Sequence, residues 1–441
     1  MKKFFIVLFL LAALQASAQQ QVLIENVRIF DGKNEKTTIG NVLIEGNLIK
    51  QVSTSPITAG ANTQAIDGKG YFLMPGLIDA HAHTTMDAMP IMEAMTSDIG
   101  YINLYSAPFA EQQLLRGFTS VRDVGGNPFS LKKAIDRGVA VGPRIYPSGA
   151  MISQTGGHGD FRSPTEVPKP CCGALTYLES AGMTMLADGR NEILLRVREQ
   201  LRQGATQIKI AAGGGVASDY DPLDVAQYTE DEIRAAVECA DNWGTYVTVH
   251  AYTPKAIQAA IRAGVKGIEH GQLVDESTAK MIAEKGVWWC IQPFLDDEDA
   301  IPFPAGSPNR EKQLEMTNGT EAAYKLAKKY KIKTAFGTDC LFDAQLTTRQ
   351  GAQLAKLTKW YTPFEVLKMA TSTNGELLAM CGKRNPYPHP LGVIEPGAYA
   401  DLILVSGNPL ENIKLIENPQ ENFVLIMKDG KIYKDNTASA K

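Results

Sequence analysis

Histidine is scarce in this chain, with six in 441 residues, and two of them stand one residue apart in GLIDAHAHTT (76–85). Alternate side chains of a strand share a face, so His81 and His83 project the same way, about 7 Å apart along the backbone. That arrangement suits two ligands converging on one metal ion. His250 in YVTVHAYT, His270 in KGIEHG and Asp339 in KTAFGTDC close other short apolar runs, and Lys209 lies within a further one, QIKIAAGG. A lone histidine is ordinarily a satisfied core or surface group, but five ligand-type residues at the ends of apolar runs are not independent accidents. A structural zinc site normally closes with four ligands, often cysteine. This set is free of cysteine and too large for one ion.

Lys209 decides between one ion and two. It sits between Ile208 and Ile210 and so faces away from both. An ammonium beside divalent cations is electrostatically unacceptable. A neutral amine can react with carbon dioxide to give a carbamate, an anionic bridge with two oxygens. Two divalent ions then meet three negative charges, from the carbamate, Asp339 and a bridging hydroxide. Without the carbamate the second ion would have only His250 and His270. The bland alternative is a lysine buried among apolar groups or reaching out to solvent.

The elements that must position these residues follow from the pattern around them. Apolar runs recur at 76–83, 118–125, 144–149, 207–214, 246–253, 266–271, 287–293 and 333–340. Between them lie helical patterns such as RNEILLRVREQLRQG, TEDEIRAAVECADNWG and TPKAIQAAIRAG, opened by Thr, Asn or Asp and closed by Gly as helix caps are. Eight strands alternating with helices predict an α/β fold, a (β/α)8 TIM barrel over residues 76–384, whose sites form at the carboxyl ends of the strands. An open doubly wound sheet is disfavoured because no Gly-rich phosphate loop follows the first strand. Residues 19–75 and 385–441 read as strands and turns, with DGK at Asp31–Lys33, Asp67–Lys69 and Asp429–Lys431 read as hairpin turns. These two ends predict one small β-sandwich domain built jointly.

Residues 1–18 have the order of a secretory signal peptide: Lys2 and Lys3, an apolar run from Phe4 to Leu14, then Ala16-Ser17-Ala18. The run is too short to anchor in a bilayer, and no cysteine follows it for lipid attachment. The expected mature protein is secreted or periplasmic, with no membrane association after cleavage. Removing residues 1–18 leaves 42 basic against 48 acidic residues, a formal charge of −6. A mildly acidic chain without a basic run is a poor partner for nucleic acid. The six cysteines, at 171, 172, 239, 290, 340 and 381, form no CxxC pair and read mainly as small buried hydrophobes.

Taken in order, HAH after PGLID, the lysine of QIKI, VTVHAYT, GIEHG, FGTDC and the tail GVIEPGAYADLILV resemble the amidohydrolase superfamily over nearly the whole mature chain. SQTGGHGD, QIKIAAGGGVAS, DVAQYT and HAYTPKAI narrow the resemblance to the imidazolonepropionase-like branch, close to Xaa-Pro dipeptidases and related metallo-carboxypeptidases. The resemblance implies that His81, His83 and Asp339 bind a first divalent ion, that carboxylated Lys209 bridges, and that His250 and His270 bind a second. Zinc suits these ligands, and manganese or cobalt also fit. It implies hydrolysis of a peptide-like amide, in dipeptides or N-acyl amino acids, with release of a C-terminal amino acid. Asp339 would pass the proton of the attacking water to the leaving nitrogen. Tyr228 in DVAQYT matches a family tyrosine that reaches substrate, and His158 in TGGHGD a substrate-side histidine. A homo-oligomer is a family expectation. Arg122 and Asp123 read as an ion pair or outer support, and Trp288 and Trp289 as packing residues with at most one near the pocket. The competing readings are a cyclic-amide hydrolase or deaminase of the same fold, and a binding protein without catalysis.

Overall fold

The computed structural model describes residues 21–166 and 174–438. The segment read as a signal peptide and the adjacent Cys171 and Cys172 lie outside the described residues. Each of the eight apolar runs is a strand: Leu77–Ala82, Phe118–Asp123, Arg144–Pro147, Ile208–Ala211, Val247–Ala251, Gly267–His270, Trp288–Ile291 and Thr334–Phe336. Every residue of these strands is buried. Both faces of each strand are therefore covered, which explains why the runs read as continuous rather than alternating apolar stretches.

The first three strands form one parallel sheet in chain order. The other five form a second parallel sheet, extended at one edge by Met151–Ser153 and Thr184–Leu186. The two sheets adjoin twice. The Thr206 N–H donates to the Pro147 carbonyl at 2.7 Å on one side, and the Asp339 N–H donates to the His81 carbonyl at 2.8 Å on the other. The first and last of the eight strands are thus neighbours, and residues far apart in sequence meet at their carboxyl ends.

All three quoted helices end at the expected glycine, but only one opens on a side-chain cap, since Asp188 and Thr253 make no capping hydrogen bond. Glu230–Trp243 opens on a capping box between Thr229 and Glu232 and closes at Gly244, φ 72°. Gly189–Gln203 and Pro254–Ala263 close at Gly204 and Gly264, both left-handed. The N-terminal cap at Thr229 stabilises its helix by about 1 kcal/mol. Among the described residues no helix is long and apolar enough to cross a membrane.

Both chain ends build one eight-stranded mixed sheet, joined where Phe72–Pro75 pairs antiparallel with Leu402–Val405. Arg144, buried in the parallel region, pairs with Asp401 and Asp429 and ties this sheet to it. Of the three DGK turns, only Asp429-Gly430 closes a tight hairpin, with both residues at positive φ. Asp67–Lys69 does not. Its flanking strands both run parallel to Gln21–Ile29, along successive stretches of the same strand. Gly68 is needed there because a Cβ would lie 2.1 Å from Val27 Cγ1. Asp31 instead opens the longer link over residues 30–37, where its carboxylate accepts from the backbone of Lys33 and Asn34.

Candidate metal centre

The carboxyl ends of five strands deliver His81, Lys209, His250, His270 and, just past the last strand, Asp339 to one place, with His83 immediately after the first strand. The imidazoles form a continuous row. Ring centroids lie 5.3 Å apart for His83 and His81, 4.9 Å for His81 and His270, and 4.5 Å for His270 and His250. His158, on the loop after Met151–Ser153, extends the row by stacking on His250 at 4.1 Å. Asp339 sits among them, with its carboxylate 3.2 Å from His83 Nε2, 3.4 Å from His81 Nε2 and 4.0 Å from His270 Nδ1.

Hydrogen bonds on the far side of each ring set which nitrogen is free. His83 Nδ1 lies 3.1 Å from the Gly125 carbonyl, so it carries the proton and leaves the Nε2 lone pair toward Asp339. His250 Nε2 lies 3.1 Å from the Gly214 carbonyl, which leaves Nδ1 as its free nitrogen. His81 Nδ1 is 2.8 Å from Glu269, again leaving Nε2 free. Three buried atoms then lack any hydrogen-bond partner: His81 Nε2, His270 Nδ1 and Asp339 Oδ1. One ligand atom from each of these residues lies within 4.8 Å of the others. Buried polar atoms are normally paired, so a converging trio of electron-pair donors fits a bound cation.

The charge state of three of the four candidate ligand histidines agrees with that fit, while for His83 burial is outweighed by Asp339 and Asp123, which hold the ring above its ordinary value. Burial lowers the pKa of His81 to about 4 and pushes His250 and His270 well below the ordinary histidine value. All three therefore present neutral rings at physiological pH. Burial pushes the Asp339 carboxyl up, but His81, His83 and His270 outweigh it and hold the group below the usual carboxylate range. Burial also lowers the Lys209 amine, against the pull of Glu269 and Asp339. His270 and Asp339 are both held at positive φ, 73° and 50°. Such backbone costs about 1–3 kcal/mol for a residue with a side chain, and it clusters where function fixes geometry.

Beyond the polar floor lies a cavity of about 1280 Å³, its open mouth included, with largely apolar walls such as Met86, Met183, Val216, Phe294, Phe303 and Met316. His158 faces this cavity and is held by Ser218, whose hydroxyl is 2.7 Å from Nδ1. Tyr228 is not brought to it. Its phenol is buried away from the cavity and donates to the Ala187 carbonyl at 2.8 Å. Neither Trp288 nor Trp289 lines the cavity; the Trp289 indole donates to the His270 carbonyl at 2.7 Å. Cys239, Cys290, Cys340 and Cys381 are buried and free.

Glu269 was not read as a neighbour of the site, whereas Arg122 takes the outer-support place that was one of its two readings. Arg122 pairs with Glu269 at 2.7 Å and not with Asp123, which instead accepts from the backbone and hydroxyl of Thr84. Consecutive strand residues point to opposite faces, so Arg122 and Asp123 had no means of pairing. Glu269 carries no signal beyond its place beside His270. It also lies near His81 and Cys290 as a second cluster of ligand-type atoms, but its oxygens are taken by Arg122, His81 and Thr248.

Comparison with known proteins agrees with this architecture. The ochratoxinase of Aspergillus niger is 32% identical over 393 residues, covering 82% of this chain and 75% of that one. A prolidase solved with N-methylphosphonate-L-proline is 35% identical with a TM-score of 0.86, covering 94% of this chain and 100% of its own. An Xaa-Pro dipeptidase solved with methionine in its active site is 28% identical with a TM-score of 0.81, at 94% and 100% coverage. The amidohydrolase family profile matches residues 72–434. By the ordered site residues, the parallel sheets that carry them and this match across most of its length, the chain belongs to the amidohydrolase family and is a hydrolase acting on amide bonds.

Proposed function

We propose that the protein is an exported hydrolase that uses two divalent ions to cut dipeptides or N-acyl amino acids and release a C-terminal amino acid. The observation that carries this reading is the trio of unpartnered buried donors, His81 Nε2, His270 Nδ1 and Asp339 Oδ1, at the floor of an apolar cavity that Lys209 also lines. In this reading His81, His83 and Asp339 would hold one ion and His250 and His270 the other, with Lys209, carboxylated by carbon dioxide, as an anionic ligand available to both. Zinc fits the donors best. In the same reading the two parallel sheets close as a (β/α)8 barrel, and the mixed sheet of the two chain ends folds over as its companion β-sandwich domain. Export rests on the pattern of residues 1–18.

When bound, such ions acidify a water and polarise the scissile carbonyl. The chain supplies the rest. Asp339, an ionised carboxylate among imidazoles, accepts the proton of the attacking water and returns it to the departing nitrogen. His158, fixed by Ser218 and facing the cavity, donates to an oxygen of the substrate. The apolar walls take up the side chains on either side of the bond and keep bulk water from the reacting atoms. The relatives support the substrate class: one is a prolidase with a proline phosphonate, another an Xaa-Pro dipeptidase holding a free amino acid.

The test is to strip the protein with a chelator, reload it with zinc, count the bound ions, and assay a library of dipeptides and N-acyl amino acids for the amino acid released. Two ions per chain and release of a free amino acid are expected. One ion and an unmodified Lys209, with activity confined to cyclic amides, would replace this reading with ring opening.

A further inference from the structure

We infer that Glu269, gripped by Arg122, is a positioning residue that fixes His81 as a ligand for one of the two ions. The inference rests on the two-ion reading above. Both oxygens of Glu269 are surrounded by donors. Arg122 Nη2 lies 2.7 Å from Oε1 and 2.9 Å from Oε2, the Thr248 hydroxyl also donates to Oε1, and His81 Nδ1 lies 2.8 Å from Oε2. Glu269 is fully buried, and Arg122 and His81 are each only 1% exposed. A buried carboxylate with an arginine on both oxygens is ionised and can only accept, so the His81 proton must sit on Nδ1. The lone pair then belongs to Nε2, which is buried, without a partner, and 3.4 Å from the Asp339 carboxylate.

Arg122 does more than neutralise. Its Nε donates to the Ala80 carbonyl at 2.7 Å and its Nη1 reaches the Tyr246 hydroxyl at 3.3 Å. The guanidinium is thereby anchored to the strand that carries His81, and Glu269 comes from the strand that carries His270. One ion pair thus sets both the orientation and the proton of the ring. The Gln292 amide nitrogen also lies 3.2 Å from His81 Nδ1, but it donates to the Cys290 carbonyl at 3.2 Å, and the carboxylate is the nearer partner. An amide at position 269 would turn an NH2 toward either Arg122 or His81, so Glu269→Gln breaks the arrangement without changing its size.

The experiment is a calorimetric zinc titration of the metal-stripped full chain, wild type against Glu269→Gln, with nitrogen-15 spectra of the histidine rings. We expect one ion to bind ten- to a hundredfold more weakly in the variant and the other within threefold of wild type. The His81 resonances are expected to change from the Nδ1–H form to a mixture. Should the variant fail to fold because Arg122 is left uncompensated, the pair Glu269→Gln with Arg122→Met removes that cation and is read the same way. Unchanged binding, or equal weakening of both ions, in a folded variant overturns the role of Glu269. A wild-type chain that takes fewer than two ions overturns the two-ion reading instead.

Discussion

The backbone N–H of Asp339 donates to the carbonyl of His81 at 2.8 Å, and the side chains of the same two residues approach to 3.4 Å. The last strand is thereby registered on the first, and the carboxylate is set among three imidazoles. The Asp79 carboxylate reinforces this register by accepting from the backbone of both His81 and Thr338, each at 3.0 Å. If Asp339 moves the proton, Asp339→Asn is expected to lower kcat by about a thousandfold, within the usual span for a general base. His250, His270 and Lys209 should still retain metal in that variant. Turnover and metal content measured on one preparation check both statements, and full activity would remove Asp339 from the proton path.

Lys209 is buried, and its amine is depressed in the direction that carbamate formation requires. Protein loaded with zinc in the presence of carbon-13 bicarbonate is expected to show one carbamate carbon resonance. Lys209→Met should lack that signal and lose most of its metal. A resonance that survives the substitution would place the carbon elsewhere.

Much of this geometry is written in local pattern. The eight apolar runs are strands buried on both faces, and His81 with His83, one residue apart across the end of the first strand, both turn to Asp339. What escaped was non-local or too short. Met151–Ser153 and Thr184–Leu186 are three residues each and show no period. Glu269 meets an arginine 147 residues away, and nothing near it in sequence announces that partner. The Asp67–Lys69 turn has hairpin chemistry, but Val22–Glu25 and Arg28–Ile29 compete for its flanking strands and win. Tyr228 lies in a motif that resembles a substrate-binding one, yet its phenol turns to Ala187.

That placement separates the two softer site residues. Tyr228→Phe removes a buried hydrogen bond and is expected to cost about 1 kcal/mol of stability while leaving kcat/KM within about threefold. His158→Gln, at the cavity wall, is expected to lower kcat/KM by at least about tenfold with little change in stability. Denaturation midpoints and kinetics on the two variants form the check. A large loss of kcat in Tyr228→Phe would mean that the phenol leaves Ala187 when substrate binds.

In the metal-free protein the buried histidine rings should make folding less favourable in mild acid. Burial lowers His81 and His158 from 6.5 to about 4. Between those values each ring binds more protons in the unfolded chain than in the folded one, so its contribution to stability falls as pH drops from about 6.5 to about 4. Each ring contributes on the order of 3 kcal/mol across that window. Burial raises the Asp79 and Asp87 carboxyls to about 6 and about 7, so these two act in the opposite sense over the same window. Urea midpoints of the chelator-treated wild type are therefore to be compared with those of His158→Gln from pH 7 to pH 4. The wild type should lose more stability across that window than His158→Gln does, and identical profiles would contradict the burial of His158 as a neutral group.

Gly337, immediately after the last strand, packs directly against His81. A Cβ there would lie 2.4 Å from His81 Cβ and 2.7 Å from the His81 backbone nitrogen. Backbone cannot swing aside as the tip of a flexible side chain does, so Gly337→Ala must push the first and last strands apart. That displacement acts on the same contact that brings His81 and Asp339 together. Overpacking of this kind typically costs about 1–3 kcal/mol, and near-ångström misplacement of reacting groups costs about a hundredfold in rate. The expected variant is folded, with a lower thermal midpoint, weaker zinc binding and a kcat/KM reduced by about two orders of magnitude. A variant with wild-type zinc affinity would show that the two strands separate without disturbing the ligands, and the His81–Asp339 contact would then not be what holds the site together.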